Sequence, residues 1–101
     1  MTHLCETVEW RSGAGMVAYA TSKAAVAALT VALAEEVVKA GILVNAVAPS
    51  IIDTSSNLKG MPNADHEAWP KPEEVARTIL FLASPGNRVT RGAVVSVFGQ
   101  A

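Results

Sequence analysis

Tyr19 and Lys23 are the residues whose types and spacing first indicate chemistry. They lie four positions apart, with Ser22 between them, in a stretch free of Gly and Pro. On a helix this spacing places both side chains on one face, with Cβ atoms about 6 Å apart. A lysine ammonium at that distance stabilises a phenolate and lowers a tyrosine pKa that starts at about 10, which favours proton exchange near neutral pH. By itself, however, such a pair is more often surface packing than a catalytic pair.

A long helix over residues 16–39 is predicted to carry this pair. The segment is rich in Ala, Leu and Glu, and Gly41 follows where a helix end favours a left-handed residue. Residues 42–48 are almost continuously apolar, which predicts a strand covered on both faces and ended by Pro49. Residues 49–72 predict a long polar connection, and connections of this length are more often functional lids than spacers.

A second helix and strand complete the predicted architecture. The helix is expected from residue 72 to about residue 84, with four residues facing inward: Val75, Ile79, Leu80 and Leu82. The last strand is expected over residues 93–98, parallel to the first because a helix joins the two. Two strands make an incomplete sheet. The order helix, strand, loop, helix, strand therefore predicts an α/β chain that forms the second half of a doubly wound parallel sheet.

Composition excludes several classes of protein. Half of the 101 residues are apolar and only 17% are charged, which is more apolar surface than a compact domain of this size usually carries. The balance of 8 basic and 9 acidic residues provides no electrostatic footprint for nucleic acid. The longest apolar run, residues 24–34, is well short of the ~20 residues that span a bilayer. Cys5 has no metal-ligating neighbours at useful spacing, and no signal-peptide pattern is present, so a cytoplasmic protein without a metal site is expected.

Further motifs surround the Tyr–Lys pair in a fixed order. They are Tyr19-Ala-Thr-Ser-Lys23-Ala-Ala-Val, Gly41-Ile-Leu-Val-Asn-Ala-Val-Ala-Pro49, Thr54, Pro72-Glu-Glu-Val-Ala76, Phe81-Leu-Ala-Ser84 and Val89-Thr-Arg-Gly92. Together they resemble the short-chain dehydrogenases/reductases, over about residues 13–99. The resemblance implies the C-terminal half of a Rossmann-type domain over residues 13–101, preceded by a poorly matching segment, residues 1–12.

The resemblance implies a role for each matching residue. Tyr19 would be the general acid that protonates a carbonyl oxygen as hydride arrives, or the base in the reverse direction. Lys23 would support the tyrosine and hydrogen-bond the nicotinamide ribose. Pro49, the backbone near Ile52 and the Thr54 hydroxyl would border the nicotinamide carboxamide of NAD or NADP. The hydride chemistry belongs to the cofactor, whereas the protein supplies orientation and electrostatics.

The departures from the family pattern are equally specific. No Gly-x-x-x-Gly-x-Gly turn for the pyrophosphate occurs, and the family's Asn-Asn-Ala-Gly segment is also missing. The position of the family's catalytic serine, about 13 residues before the tyrosine, holds Glu6; whether Glu6 or Ser12 replaces that serine stays open. Pro49 is followed by Ser50 instead of the usual glycine.

One part of the connection points to a narrower branch of the family. Asp53-Thr54, Asn57, Lys59, Met61-Pro62, Ala64-Asp65 and Trp69 resemble the corresponding loop of dihydropteridine reductases, which keep the Tyr and Lys without the serine. An acyl-carrier-protein reductase or another ketone reductase is the alternative. In the same loop we expect His66 to be solvated and Trp69 to anchor the loop.

The expected function is that of an NAD(P)-dependent oxidoreductase acting on a small carbonyl or alcohol substrate. This chain would be its catalytic C-terminal half, inactive alone, with no nucleic-acid or membrane partner. Homo-oligomerisation, or association through the helix over residues 19–39, is expected because small residues at positions 24, 25, 28 and 32 permit close helix packing. The alternative is a non-catalytic partner or regulatory fragment that associates with a full-length subunit of the same family.

Overall fold

A parallel three-stranded sheet with helices on both faces is the framework of the protein. The computed structural model describes residues 1–7, 15–50, 52 and 54–100. Strands β1 (Thr2–Thr7), β2 (Ile42–Pro49) and β3 (Val94–Val97) lie side by side in the order β1-β2-β3, and all are parallel. The predicted α/β class with a parallel sheet is confirmed.

Strand β2 is the centre of the core. Thr2 pairs with Ile42 at the start of the β1 ladder, and Pro49 pairs with Val97 at the end of the β3 ladder. Residues 43–48 are all buried, as expected of a parallel strand with neighbours at both edges and helices on both faces. The predicted strand is confirmed, with Pro49 as its last residue.

The sequence patterns do not predict strand β1. Its six residues, Thr-His-Leu-Cys-Glu-Thr, are mostly polar. It pairs only with β2 within the described part of the chain, so it is an edge strand, and edge strands tolerate polar side chains because one side is exposed. The predicted order therefore lacks one strand, and the first helix does follow a strand. The division of the chain at residue 12 stays a prediction, because residues 8–14 lie outside the described residues.

Helix α1 (Val17–Val37) covers one face of the sheet and is followed by a 3₁₀ turn, Val38–Ala40. Ala27, Thr30 and Ala34 form its buried stripe, and Ala27 packs against Ala46 and Ala48 of β2. Gly41 ends the turn with a φ of 78°, and its N–H donates to the carbonyl of Val38. The left-handed residue expected at this position is confirmed.

Helix α1 is apolar on more than its buried stripe. Over Val17–Ala40 it is long and apolar enough to cross a membrane by length and composition, a property that core helices of soluble proteins share. The length of the longest apolar run, residues 24–34 with Thr30 inside it, understates this property because the surrounding helix contains few charges. Ala27 of its buried stripe contacts the sheet, whereas only 17% of the apolar window is buried.

Two further helices, α2 (Ser55–Gly60) and α3 (Pro72–Ala83), follow β2, and α3 covers the opposite face of the sheet. Val75 and Leu82 are buried against Val47, and Ile79 packs beside them. Leu80, predicted to face inward, is 69% exposed. The stripe spacing of 75, 79 and 82 explains this error, because residue 80 is rotated by about 100° from residue 79 around the helix axis.

The connecting segment, residues 49–72, is more ordered than a polar loop. It contains α2 and a 3₁₀ turn, His66–Ala68. Thr54 begins α2 as its N-cap residue, since its Oγ1 accepts from the N–H of Asn57 at 3.2 Å. The proline and glycine residues of this segment make the short helix difficult to predict from the sequence. Thr is nevertheless a common residue at the N-cap position.

Candidate active site

The Tyr–Lys pair lies on the first two turns of α1. Lys23 Nζ is 5.9 Å from the centroid of the Tyr19 ring, within the range of a cation–π contact. Tyr19 is 43% exposed and Lys23 is half-buried. Ser22, between them, donates its hydroxyl to the Tyr19 carbonyl at 2.8 Å, so its side chain is turned to the helix backbone. The predicted same-face pair is therefore present, with the phenol open to solvent.

The direction of α1 places this pair at the carboxyl edge of the sheet. The helix ends only a short turn before β2 begins, so its C-terminus lies at the amino edge of the strands. A helix of 21 residues is about 30 Å long and runs antiparallel to the β2 strand on which it packs. Its first turns therefore reach the edge where β1, β2 and β3 end, and ligands of open parallel sheets bind at that edge.

The residues that follow β2 begin at the same edge. Ile52 packs against the cluster of Val47, Val75 and Leu82. Its carbonyl accepts from Asn57 Nδ2 at 2.8 Å, which ties the start of α2 to the end of β2. Thr54 uses its hydroxyl oxygen as the N-cap of α2. Pro49, Ile52 and Thr54 thus lie at or just after the carboxyl end of β2, and Ile52 and Thr54 are tied to a short helix that the sequence patterns do not predict.

Glu6 stands near the end of β1 and points to the α1 face. It lines a groove of about 150 Å³ with seven other residues, Leu4, Val26, Leu29, Thr30, Leu33, Val44 and Asn45. Glu6 is the charged residue of this mostly apolar lining. Ser12, the other candidate for the place of a catalytic serine, lies outside the described residues.

Cys5 faces the opposite side of the sheet from Glu6. Burial raises the pKa of the Cys5 thiol, and the adjacent Glu6 carboxylate raises it further. The thiol therefore stays protonated near neutral pH and is a poor nucleophile. Among the described residues no cluster of His, Cys, Asp and Glu has a geometry for a metal ion.

Two buried asparagines, linked to the residues just before β3, are absent from the sequence prediction. Asn45 Nδ2 and Asn87 Nδ2 both donate to the Thr90 carbonyl, at 2.9 and 3.0 Å. Asn87 also donates to the Leu82 carbonyl and accepts from the N–H groups of Val89 and Thr90. Asn45 Oδ1 accepts from the N–H of Ala93. A polar residue inside the apolar run 42–48 is the signal for such a network, because buried amides are hydrogen-bonded.

Comparisons with known proteins show the family to which the chain belongs. Residues 4–99 match the family model described as enoyl-(acyl carrier protein) reductase. The chain is 41% identical over 95 residues to the 3-oxoacyl-[acyl-carrier-protein] reductase FabG of Pseudomonas aeruginosa. It is 36% identical over 99 residues to (2S)-[(R)-hydroxy(phenyl)methyl]succinyl-CoA dehydrogenase subunit BbsD of Thauera aromatica. The chain belongs to the short-chain dehydrogenase/reductase family.

A solved structure extends the likeness of this short-chain dehydrogenase/reductase to a cofactor-bound protein. ElxO with NADP bound superposes with a TM-score of 0.80 at 27% identity, over 96% of this chain and 45% of that chain. The two relatives are matched over 85% and 89% of this chain but only 38% and 40% of their own length. The chain thus spans about two fifths of the length of the curated relatives it matches.

The described residues of this short-chain dehydrogenase/reductase fit one end of a nicotinamide dinucleotide. Lys23 offers an ammonium donor beside a solvent-open phenol at the carboxyl edge. The Thr54 hydroxyl has a proton left to donate, because capping α2 uses only its oxygen as acceptor. These groups suit the ribose hydroxyls and the carboxamide oxygen.

His66, expected to be solvated, is half-buried, and its Nε2 hydrogen-bonds the Met61 carbonyl at 2.6 Å.

Proposed function

We propose that this chain is the catalytic C-terminal half of an NAD(P)-dependent short-chain oxidoreductase. The observation that carries the proposal is the Tyr19–Lys23 pair, 5.9 Å apart from ring centroid to Nζ, open to solvent at the carboxyl edge of a parallel sheet. The bound nicotinamide would supply or accept hydride at the substrate carbon. The remaining task, moving a proton at the substrate oxygen, falls to this chain.

Tyr19 is the proton-transfer residue in this proposal. In reduction, the carbonyl carbon gains hydride while the carbonyl oxygen takes the proton of the Tyr19 hydroxyl, so the product is the neutral alcohol. In oxidation, the phenolate accepts the alcohol proton as hydride leaves. The positive charge of Lys23 stabilises the phenolate in both directions. Its ammonium also has donors for the ribose hydroxyls, which fixes the cofactor beside the phenol.

The end of β2 is proposed to orient the nicotinamide. The Thr54 hydroxyl and the backbone near Ile52 would hold the carboxamide, with Pro49 at the start of the turn. The hydrogen bonds from Asn57 to Thr54 and to the Ile52 carbonyl support this role, because they hold these two groups together in one local unit. Glu6, in the groove beside α1, is the candidate substitute for a catalytic serine.

A ketone or thioester-linked 3-oxoacyl group is the proposed substrate class. The likeness to FabG supports it, since that relative is a 3-oxoacyl-[acyl-carrier-protein] reductase. The dihydropterin substrate suggested by residues 53–69 is a narrower proposal that the same assay can include. We also propose a cytoplasmic location for the complete protein.

A chimera tests the proposal. The segment of Pseudomonas aeruginosa FabG that aligns with residues 4–99 is replaced by these residues, and NAD(P)H oxidation is followed with a 3-oxoacyl thioester and with a quinonoid dihydropterin. Tyr19→Phe is expected to slow turnover by about three orders of magnitude while cofactor binding persists. Ser22→Ala is the control and should stay active, since its hydroxyl contacts only the helix backbone in the described hydrogen bonds. A Tyr19→Phe chimera that binds cofactor and keeps full activity would contradict the assignment.

The alternative function, a non-catalytic partner of a full-length subunit, has one observation in its favour. The groove between α1 and β1 is mostly apolar and open, with Leu4 and Leu29 about half exposed. Such a surface suits association. This alternative predicts a stable complex with a full-length relative in native mass spectrometry and a chimera without activity that still binds cofactor.

A further inference from the structure

The C-terminal turn after β3 holds one half of the connecting segment. The N–H of Gln100 donates to the Ala68 carbonyl at 3.0 Å. Gly99 has a φ of 62°, and a Cβ at this position would lie 2.9 Å from the same carbonyl oxygen and 3.2 Å from Pro70 N. Only glycine allows the two backbones to approach so closely with this φ. The Ser50 hydroxyl donates to the Phe98 carbonyl at 3.3 Å, which joins this turn to the end of β2 as well.

The half of the segment that this turn contacts is packed. Trp69 is 5% exposed, and Pro70 is also buried. The His66 ring lies 4.7 Å from the Trp69 ring, centroid to centroid. The N–H groups of Ala68 and Trp69 donate to the carbonyls of Asp65 and His66, which closes the 3₁₀ turn. Residues 66–70 are therefore a compact unit attached to the C-terminal turn.

The other half, α2, is held by local contacts among the residues that the structure describes. None of its six residues is buried. In its described hydrogen bonds, the Asn57 N–H donates to Thr54 Oγ1, Asn57 Nδ2 donates to the Ile52 carbonyl, and backbone groups of residues 54–61 pair with one another. The carbonyl of Met61 accepts from His66 Nε2 and forms the joint between the two halves. Exposed helices with few buried contacts open at low free-energy cost.

We propose that the turn at residues 98–100 is a latch that fixes residues 66–70, so that residues 54–61 are the part of the connecting segment that opens. The latch depends on the backbone contact between Gly99 and Ala68 and on the Gln100 N–H. The hydrogen bond between Met61 and His66 lies at the boundary between the segment that opens and the segment that stays fixed. This inference goes beyond the proposed catalytic function and does not depend on it, because its test needs neither cofactor nor substrate.

Tryptophan fluorescence of the full chain tests the latch. The sequence contains two tryptophans, so Trp10→Phe leaves Trp69 as the reporter. Gly99→Ala is expected to raise the acrylamide quenching constant of Trp69 roughly threefold, because the added Cβ displaces residues 68–70. Gly60→Ala is the matched control, since a Cβ there meets no atom within 4 Å and its backbone needs no positive φ.

A second pair of variants separates the latch from a general loss of folding. Gln100→Pro removes the N–H that binds Ala68, whereas Gln100→Ala keeps it. With hydrogen exchange measured by mass spectrometry, residues 66–70 should exchange faster in Gln100→Pro only, while β2 stays protected in both. Residues 54–60 should exchange fast in every variant. The proposal is overturned if Gly99→Ala and Gln100→Pro leave Trp69 as protected as in the parent. It is also overturned if the parent exposes Trp69 fully, if β2 loses protection together with residues 66–70, or if residues 54–60 exchange as slowly as residues 66–70.

Discussion

At the scale of single residues, the site combines one local pair with groups assembled from distant segments. The Tyr19–Lys23 geometry follows from helical spacing alone and was predictable from the sequence. The Thr54 cap and the Ile52–Asn57 bond were not, because they require α2, which Pro and Gly obscure in the sequence. The Asn87 network was also not predictable, since its partners come from the end of α3, the loop before β3 and, through its carbonyl, His3.

The charge of Lys23 has a measurable role at this scale. In the active chimera, Lys23→Met should raise the cofactor KM by about tenfold, because a charged hydrogen bond is lost. Alcohol oxidation requires the phenolate form of Tyr19. Without the neighbouring cation, the increase of the oxidation rate with pH should therefore occur at higher pH. Lys23→Arg keeps the charge and is the control. A pH profile that is the same for Lys23→Met, Lys23→Arg and the parent would show that the ammonium does not support the phenolate.

Asn87 is expected to be the most costly polar residue to remove. Asn87→Ala removes a buried amide and leaves the N–H groups of Val89 and Thr90 and two carbonyls without this partner, so the free energy of unfolding should fall by about 1–3 kcal/mol. Asn63→Ala, at an exposed position, is the control and should change it by less than about 0.5 kcal/mol. Urea unfolding followed by circular dichroism measures the free energy of unfolding of both variants. Equal values would show that the Asn87 hydrogen bonds do not stabilise the protein.

At the scale of elements, the strand and the helices with a clear apolar pattern were predictable. Strand β2 follows from an almost continuous apolar run and α3 from the inward-facing Val75, Ile79 and Leu82. The first turn of α3 is closed by the Glu74 carboxylate, which accepts from the N–H of Lys71 at 3.0 Å. Strand β1 was missed because an edge strand shows no run of apolar residues. Leu80 was assigned to the wrong side because apolar type alone does not specify the helix face.

The turn between α1 and β2 provides the test of an element boundary. Gly41 has a φ of 78°, yet a Cβ there meets no atom within 4 Å. Gly41→Ala should therefore cost only the backbone strain of a left-handed residue, about 1 kcal/mol. Gly60→Ala, without positive φ or close neighbours, is expected to be neutral or slightly stabilising. If both substitutions change the free energy of unfolding by the same amount, the left-handed backbone at Gly41 is not what requires glycine between α1 and β2.

At the scale of the whole molecule, the excess of apolar residues has a structural location. The outer edge of β1 pairs with no other described strand, and the groove beside it is lined by Leu4, Val26, Leu29 and Leu33. The curated relatives are about two and a half times as long as the part this chain matches. We therefore expect the surface beside β1, and not the whole of α1, to drive association of this chain, either with a complementary half or with a second copy.

Two substitutions on α1 decide where association occurs. Leu29 lines the groove and is 58% exposed, whereas Val31 lies on the other side of the helix and is 52% exposed. Lysine at either position is compatible with the helix, so the two variants differ mainly in which surface becomes charged. Leu29→Lys should weaken self-association by about tenfold in Kd, because a charge enters the centre of an apolar surface. Val31→Lys should leave it unchanged. Sedimentation equilibrium measures both, and the reverse order would move the interface to the opposite side of α1.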